Sequence, residues 1–293
     1  MSVAASTLPE ISARRRVTDK VMRGTLVAGT LIALVPLVLI LYFLIKRGVS
    51  AWTTSGFFTT DPTGSFFGNP GGIRSAILGS VVMVALASVI AIPIGIGVAL
   101  YLTEYGRDGW FANLVRYFVD VMTGVPSIMF GLFIYIVLVK AHVGGSGFSA
   151  WKGSVALSLL MVPIVIRSAE VVLLLVPSSL REAALALGAP RWRVVARVVL
   201  PTAAPGLVTG SLLSVARGMG ETAPLLFTAT AAFALTFNLG ALMNSLPVQI
   251  YTDIQSPRSE IIDRAWGAGL ALVVIVLLLN VVARFIASRS RQA

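Results

Sequence analysis

Thr25-Leu-Val-Ala-Gly-Thr-Leu-Ile-Ala-Leu-Val-Pro-Leu-Val-Leu-Ile-Leu-Tyr-Phe-Leu-Ile45 runs without a single charge. A helix needs about 20 apolar residues to cross roughly 30 Å of hydrocarbon, so this stretch is long enough for one span. It exceeds the apolar core of about 7–15 residues found in a secretory signal, and therefore reads as a retained first span. A polar, basic segment precedes it at 1–24, with Arg14, Arg15, Arg16, Lys20 and Arg23.

The same pattern recurs outward from this run. Ser75 to Leu102 is a second apolar stretch, in which Pro93, Gly95 and Gly97 predict a bend or a close helix contact rather than a break. Further spans are expected at about Tyr117–Val139, Gly153–Val176, Gly206–Phe233 and Ala265–Ala283. Between them lie a Gly/Pro-rich loop, 46–74, with the exposed-looking aromatics Trp52, Phe57, Phe58, Phe66 and Phe67; a charged link, 103–116; a glycine-rich loop, 140–152; a polar stretch, 177–201; and a mixed loop, 237–264, with room for a short re-entrant or interfacial helix. The expectation is an all-α integral membrane protein with six transmembrane helices. A cytoplasmic tail, 1–24, precedes a transmembrane domain, 25–287, and 288–293 form a second tail.

Composition agrees. Of 293 residues, 57% are hydrophobic and 12% charged, about half the charge of an ordinary soluble domain, and the mean hydropathy is +0.91. The net charge of +11 does not point to nucleic acid, because the basic residues flank apolar runs and form no stripe with interleaved aromatics. With no cysteine there is no disulfide, thiolate nucleophile or cysteine-held metal. His142, the one histidine, sits in the glycine-rich loop and reads as a loop residue. The termini and the 103–116 and 177–201 links hold 14 of the 23 Lys and Arg residues, against 7 in the other three loops. The positive-inside rule then places both termini and 177–201 in the cytoplasm of a cell membrane.

The segment Ser178-Ser-Leu-Arg-Glu-Ala-Ala-Leu-Ala-Leu-Gly188 has the marks of a short helix. Ser179 and Glu182 have the spacing of a capping box, and Gly188 suits the position just past a helix end. Pro190 suits the first turn of a second helix, Arg191 to Leu200, ended by Pro201. Two short helices meeting at an Ala/Gly corner would make a knob that another protein can approach closely; the alternative is an ordinary loop between spans. No lysine of the chain has the Gly before it and Ser or Thr after it that a P-loop requires.

Four ionisable residues fall inside expected spans: Arg167, Glu170, Arg217 and Glu221. Each Arg shares a helix face with its Glu, three or four residues on. An Arg at a span centre costs roughly 2.5–3.5 kcal/mol and faces a bundle interior or a wet cavity. At 1.5 Å per residue Arg167 lies about 14 Å, and Arg217 about 16 Å, from the cytoplasmic ends of their spans, so the two arginines are expected at one level. Either they form neutral pairs that hold helices together, or they face an anion, whose oxygens a guanidinium fork matches. Asp120 reads as an interfacial, solvated residue.

The pattern Glu182-Ala183-Ala184, Gly188, then Leu200-Pro201 resembles the EAA loop of ABC-importer permeases. The run Ala216-Arg-Gly-Met-Gly-Glu-Thr-Ala-Pro-Leu-Leu-Phe-Thr228 resembles the fifth-span signature of phosphate-specific transport permeases, of the PstA type rather than the PstC type. Gly71-Gly-Ile-Arg-Ser-Ala-Ile-Leu-Gly79 and Ile166-Arg-Ser-Ala-Glu170 are similar to that family as well. The likeness extends from about Gly24 to Ala283. It implies the type I ABC importer permease fold, with 177–201 as the cytoplasmic coupling segment and Glu182, Ala183, Ala184 and Gly188 against an ATPase. It further implies a PstC-like second permease, two PstB-like ATPase subunits that bind ATP and Mg, a PstS-like extracellular phosphate-binding protein, and inorganic phosphate as cargo. Transport roles fall on Arg167, Arg217 and Glu221; Glu170 joins them by spacing alone. No cofactor is expected in this chain, and no enzyme activity of its own. A permease for another oxyanion, or an ion-coupled secondary transporter, is the alternative; a membrane enzyme would need a nucleophile–base pair that the sequence does not display.

Overall fold

The computed structural model describes residues 13–64, 68–107, 109–145 and 147–289. The aromatics Phe66 and Phe67 lie outside the described residues, as do the ends of both tails. The described residues are helical apart from loops and one isolated bridge between Pro62 and Gly71. Residues up to Lys46 and residues from Arg47 onward form two units.

The first helix, α1 (Ala13–Trp52), starts within the basic segment, so Arg14 to Arg23 occupy its first turns. Pro36 sits inside it without ending it. The others are α2 (Arg74–Gly106), α3 (Trp110–Gly124), α4 (Ser127–Lys140), α5 (Ala150–Leu174), α6 (Ser178–Ala186), α7 (Arg191–Met219), the single turn α8 (Ala223–Leu226), α9 (Leu246–Asp253) and α10 (Ser259–Arg289). By length and composition α1, α2, α5, α7 and α10 can each cross a membrane, and the pair α3–α4 makes a sixth crossing if taken as one span.

The third span departs from expectation. Instead of one rod over Tyr117–Val139, α3 and α4 meet at 102°. The cause is Pro126: the residue before a proline is forced out of the helical region, and Val125 is extended at φ −73°, ψ 131°. The charged link is also shorter than expected, because α2 continues through a widened π-helical turn, Tyr101–Gly106, and α3 already begins at Trp110.

The fifth span is shifted toward the N-terminus. It starts at Arg191 and ends at Met219, so the second short helix is the beginning of this span rather than a separate element. Pro201 does not end it. Proline lacks an N–H and crowds the carbonyl four residues earlier, but that residue, Arg197, lies in the π-helical turn Val195–Val199, and Pro201 stands at the start of the next α-helical stretch. In α6 the expected capping box is not formed: Pro177 is the N-cap, and Ser179 makes no cap bond. The C-terminal expectation holds. Gly188 adopts φ +80°, its N–H bonds Leu185 O at 2.9 Å, and the Ala189 N–H bonds Ala184 O at 3.2 Å, the Schellman pattern that favours glycine. Pro190 is the N-cap of α7 rather than its first residue.

The main core joins α2, α5, α7 and α8 through Met83, Ala87, Leu157, Met161, Met219 and Leu225. Gly95 makes the close contact expected of α2: a Cβ there would lie 2.6 Å from Val165 Cβ. A second cluster at the α6 end contains Leu173, Val176, Val194 and Val199. A third includes Phe57, which is buried against Ile73 and Ala268 rather than exposed. The short helix allowed for in 237–264 is α9, tied to the rest of the bundle by Gln249 on Gly72 O, by the Leu246 N–H on Ser80 Oγ and by Asp253 on Arg264.

Candidate functional site

α5 positions Arg167 and Glu170 one turn apart on one face, and the pairing expected from their spacing forms: Arg167 Nη1 donates to Glu170 Oε2 at 2.8 Å. Two residues of α3 complete the cluster. Arg116 Nε donates to Glu170 Oε1 at 2.7 Å, and Arg167 Nη2 donates to Asp120 Oδ1. Two guanidinium groups and two carboxylates thus alternate in a row that sums to zero charge. Glu170 is the buried member, with a side chain 8% exposed; Arg167 is half-buried, and Asp120 is 62% exposed.

Arg116 is locked further by the carbonyls of Leu102 and Arg107, at 3.0 and 2.7 Å. The π-helical turn of α2 brings the first of these into reach. Hydropathy alone places Arg116 in a link and Asp120 at the interface, whereas both lie on α3. Their own i, i+4 spacing was the signal that could have joined them.

Arg217 stands apart. It occupies the last turn of α7, and its Nε lies 3.5 Å from Glu221 Oε1 beyond the helix end. Its side chain is 62% exposed and that of Glu221 15%. The two arginines do not share a level. A Cβ on Gly206 would lie 2.5 Å from Val172 Cγ1, and one on Gly210 would lie 2.7 Å from Ser168 Oγ, which fixes the antiparallel register of α7 on α5. Arg167 then stands opposite the residue after Gly210, and Arg217 six residues farther along, about 9 Å at 1.5 Å per residue. Counting from Gly206 would put the two arginines level, but the helix begins at Arg191 and meets α5 in a different register.

Just past the C-terminal end of α5, α6 presents Glu182, Ala183 and Gly188 as exposed residues, with Ala184 half-buried against the cluster below the bundle. The arrangement is a short, small-residue knob carried on a long helix, and a charged, partly open site above it. A strongly exposed arginine within a span has no place in lipid, so that face meets water or protein.

Residues 91–292 match the family described as "Binding-protein-dependent transport system inner membrane component". The phosphate transport system permease protein PstA of Mycobacterium leprae is 41% identical over 292 residues, covering 98% of this chain and 95% of the relative. The chain belongs to the PstA permease family. The PstA of Yersinia pestis is 39% identical over 278 residues, covering 95% of this chain and 92% of that one. Solved structures agree on the fold. A chain of a bacterial alginate ABC transporter superposes with a TM-score of 0.64 at 13% identity, covering 94% of this chain and 97% of that one. A chain of the MetNI methionine ABC transporter, in an inward-facing conformation, gives 0.58 at 22% identity, covering 75% and 94%. The all-α reading with the type I importer permease fold therefore stands, and this PstA-family chain is a multi-pass membrane permease subunit.

Proposed function

We propose that the chain is one of two permease subunits of an ATP-driven importer of inorganic phosphate. The observation that carries this reading is the near full-length identity to PstA phosphate permeases, and the site supports it. Two arginines at successive depths, each with a carboxylate partner, offer an oxyanion two holding points about 9 Å apart along the bundle. A guanidinium fork matches phosphate oxygens, and the paired acid lowers the net attraction enough for release. Arg217, more exposed and more loosely paired, is the earlier station; Arg167, nearer α6, is the later one.

The path is formed with a second, PstC-like permease. Glu182, Ala183, Ala184 and Gly188 dock on a PstB-like ATPase that binds ATP and Mg²⁺, and a PstS-like binding protein delivers phosphate on the opposite side. Both termini and α6 lie in the cytoplasm, as the bias of basic residues supports.

The test is reconstitution with the second permease and the ATPase in vesicles, with the binding protein on the far side, and measurement of labelled phosphate. Accumulation that requires ATP and outcompetes sulfate is the expected result. Accumulation of sulfate or molybdate in place of phosphate would make this a permease for another oxyanion. Uptake that persists without ATP under a proton gradient would make it an ion-coupled transporter.

A further inference from the structure

The four charges of the Arg167 cluster are not equivalent. Glu170 is buried and held from two sides by Arg116 and Arg167, and Arg116 is fixed in turn by backbone carbonyls. Asp120 is the exposed member, and among the described residues its carboxylate meets only Arg167. Nη1 of the Arg167 guanidinium is therefore committed to Glu170, while Nη2, which also reaches Arg116 O at 3.4 Å, is covered on its exposed side by the carboxylate of Asp120 on α3. A carboxylate and a phosphate present the same pair of oxygens to such an edge, and like charges cannot occupy it together.

We propose that Asp120 is a tethered competitor for the transported anion at Arg167. Its carboxylate covers the open edge while no anion is present, yields it when the anion arrives, and displaces the anion on returning. Asp120 is thus a residue that sets how weakly the later station holds its cargo. This rests on the phosphate-importer reading above.

The experiment uses the complete reconstituted importer and measures inhibition of ATP-dependent uptake by inorganic phosphate added on the α6 side. Asp120→Asn is expected to lower the phosphate concentration needed for half-inhibition by about two- to fivefold, the range for loss of an exposed ion pair. Asp120→Glu is expected to behave as the native chain. The chain has no cysteine, so Asp120→Cys supplies one reactive thiol in it. That variant should show the same tighter inhibition, relaxed by a thiosulfonate reagent that adds a negative charge and not by a neutral one of similar size.

Unchanged half-inhibition in Asp120→Asn, or equal effects of the two reagents, overturns the proposal. Assembly of Asp120→Glu with failure of both neutral variants would make the pair a structural tie and overturn it too. If the native complex takes up no phosphate, it is the functional reading that fails.

Discussion

Arg181, in the first turn of α6, grips Glu104 at the end of α2: its Nε and Nη2 both donate to Glu104 Oε1, at 3.0 and 2.9 Å. The same guanidinium donates from Nη1 to Val176 O at 2.6 Å and from Nη2 to Leu173 O at 2.8 Å, carbonyls just beyond and at the end of α5, where the helical ladder runs out. Both side chains are largely buried. Arg181 thus ties α6 directly to α2 and α5, the two helices that pack most extensively in the bundle.

From this strut follows a prediction about coupling. Arg181→Lys keeps the charge but cannot serve a carboxylate and two carbonyls with a planar fork. Uptake per ATP hydrolysed is expected to fall roughly tenfold, while the ATPase still co-purifies with the membrane subunits. An unchanged ratio of phosphate moved to ATP hydrolysed would show that α6 transmits its motion elsewhere.

A stability prediction concerns the opposite end of the bundle. Arg264 donates from Nε and Nη2 to the two oxygens of Asp253, at 2.8 and 2.7 Å, and from Nη1 to Pro70 O. Both side chains are 7% exposed or less. Arg264→Ala strands a buried carboxylate and should destabilise the chain by about 3–5 kcal/mol. Replacing both partners by apolar residues, Arg264→Met with Asp253→Leu, should recover most of that loss, because the desolvation of two ions disappears with them. Unfolding of the detergent-solubilised chain measures both; a double variant no better than the single one would contradict this reading.

The loop between α1 and α2 carries a pH prediction. The Arg74 hydrogen bond holds the Asp61 carboxyl below the usual carboxylate range against an opposing burial effect, and the Leu235 N–H adds to it. A depressed folded-state pKa contributes stability that is present above the unfolded value and lost as pH falls through the folded one. The native chain should therefore exceed Asp61→Asn in stability by a constant margin at neutral pH, and the margin should shrink below about pH 4. A margin that instead grows on acidification would reverse the assignment. Melting curves from pH 3 to 7 decide it.

Much of this was legible in residue types and spacing. The uncharged runs gave the spans, Gly188 gave the end of α6, and the three-residue spacing of Arg167 and Glu170 gave their pairing. What failed was local competition between signals. Pro126 lies in a run apolar enough to read as one span, yet it breaks the rod at 102°. Pro201 has the look of a stop, yet the chain passes it helically. Hydropathy hid the start of α7, because its first turns hold Arg191, Arg193 and Arg197. The level of Arg217 depended on that start, so its error was inherited. Arg116 and Asp120 look like flanks in the sequence because membership in a charge cluster is decided by which helix packs alongside, and one sequence does not state that.

The two arginines should respond differently to removal. Arg217 is 62% exposed with a loose 3.5 Å partner, so Arg217→Ala should leave melting of the isolated chain within about 0.5 kcal/mol of native, the range for surface changes. Arg167 is half-buried and bonded to two carboxylates, so Arg167→Ala leaves Glu170 leaning on Arg116 alone and should cost about 1–3 kcal/mol. Both should abolish ATP-dependent phosphate uptake while the complex still assembles. Arg217→Lys should retain a small fraction of uptake, since an ammonium keeps the charge without the fork. Normal uptake by Arg217→Ala in an assembled complex would remove Arg217 from the path, and the two-station route with it.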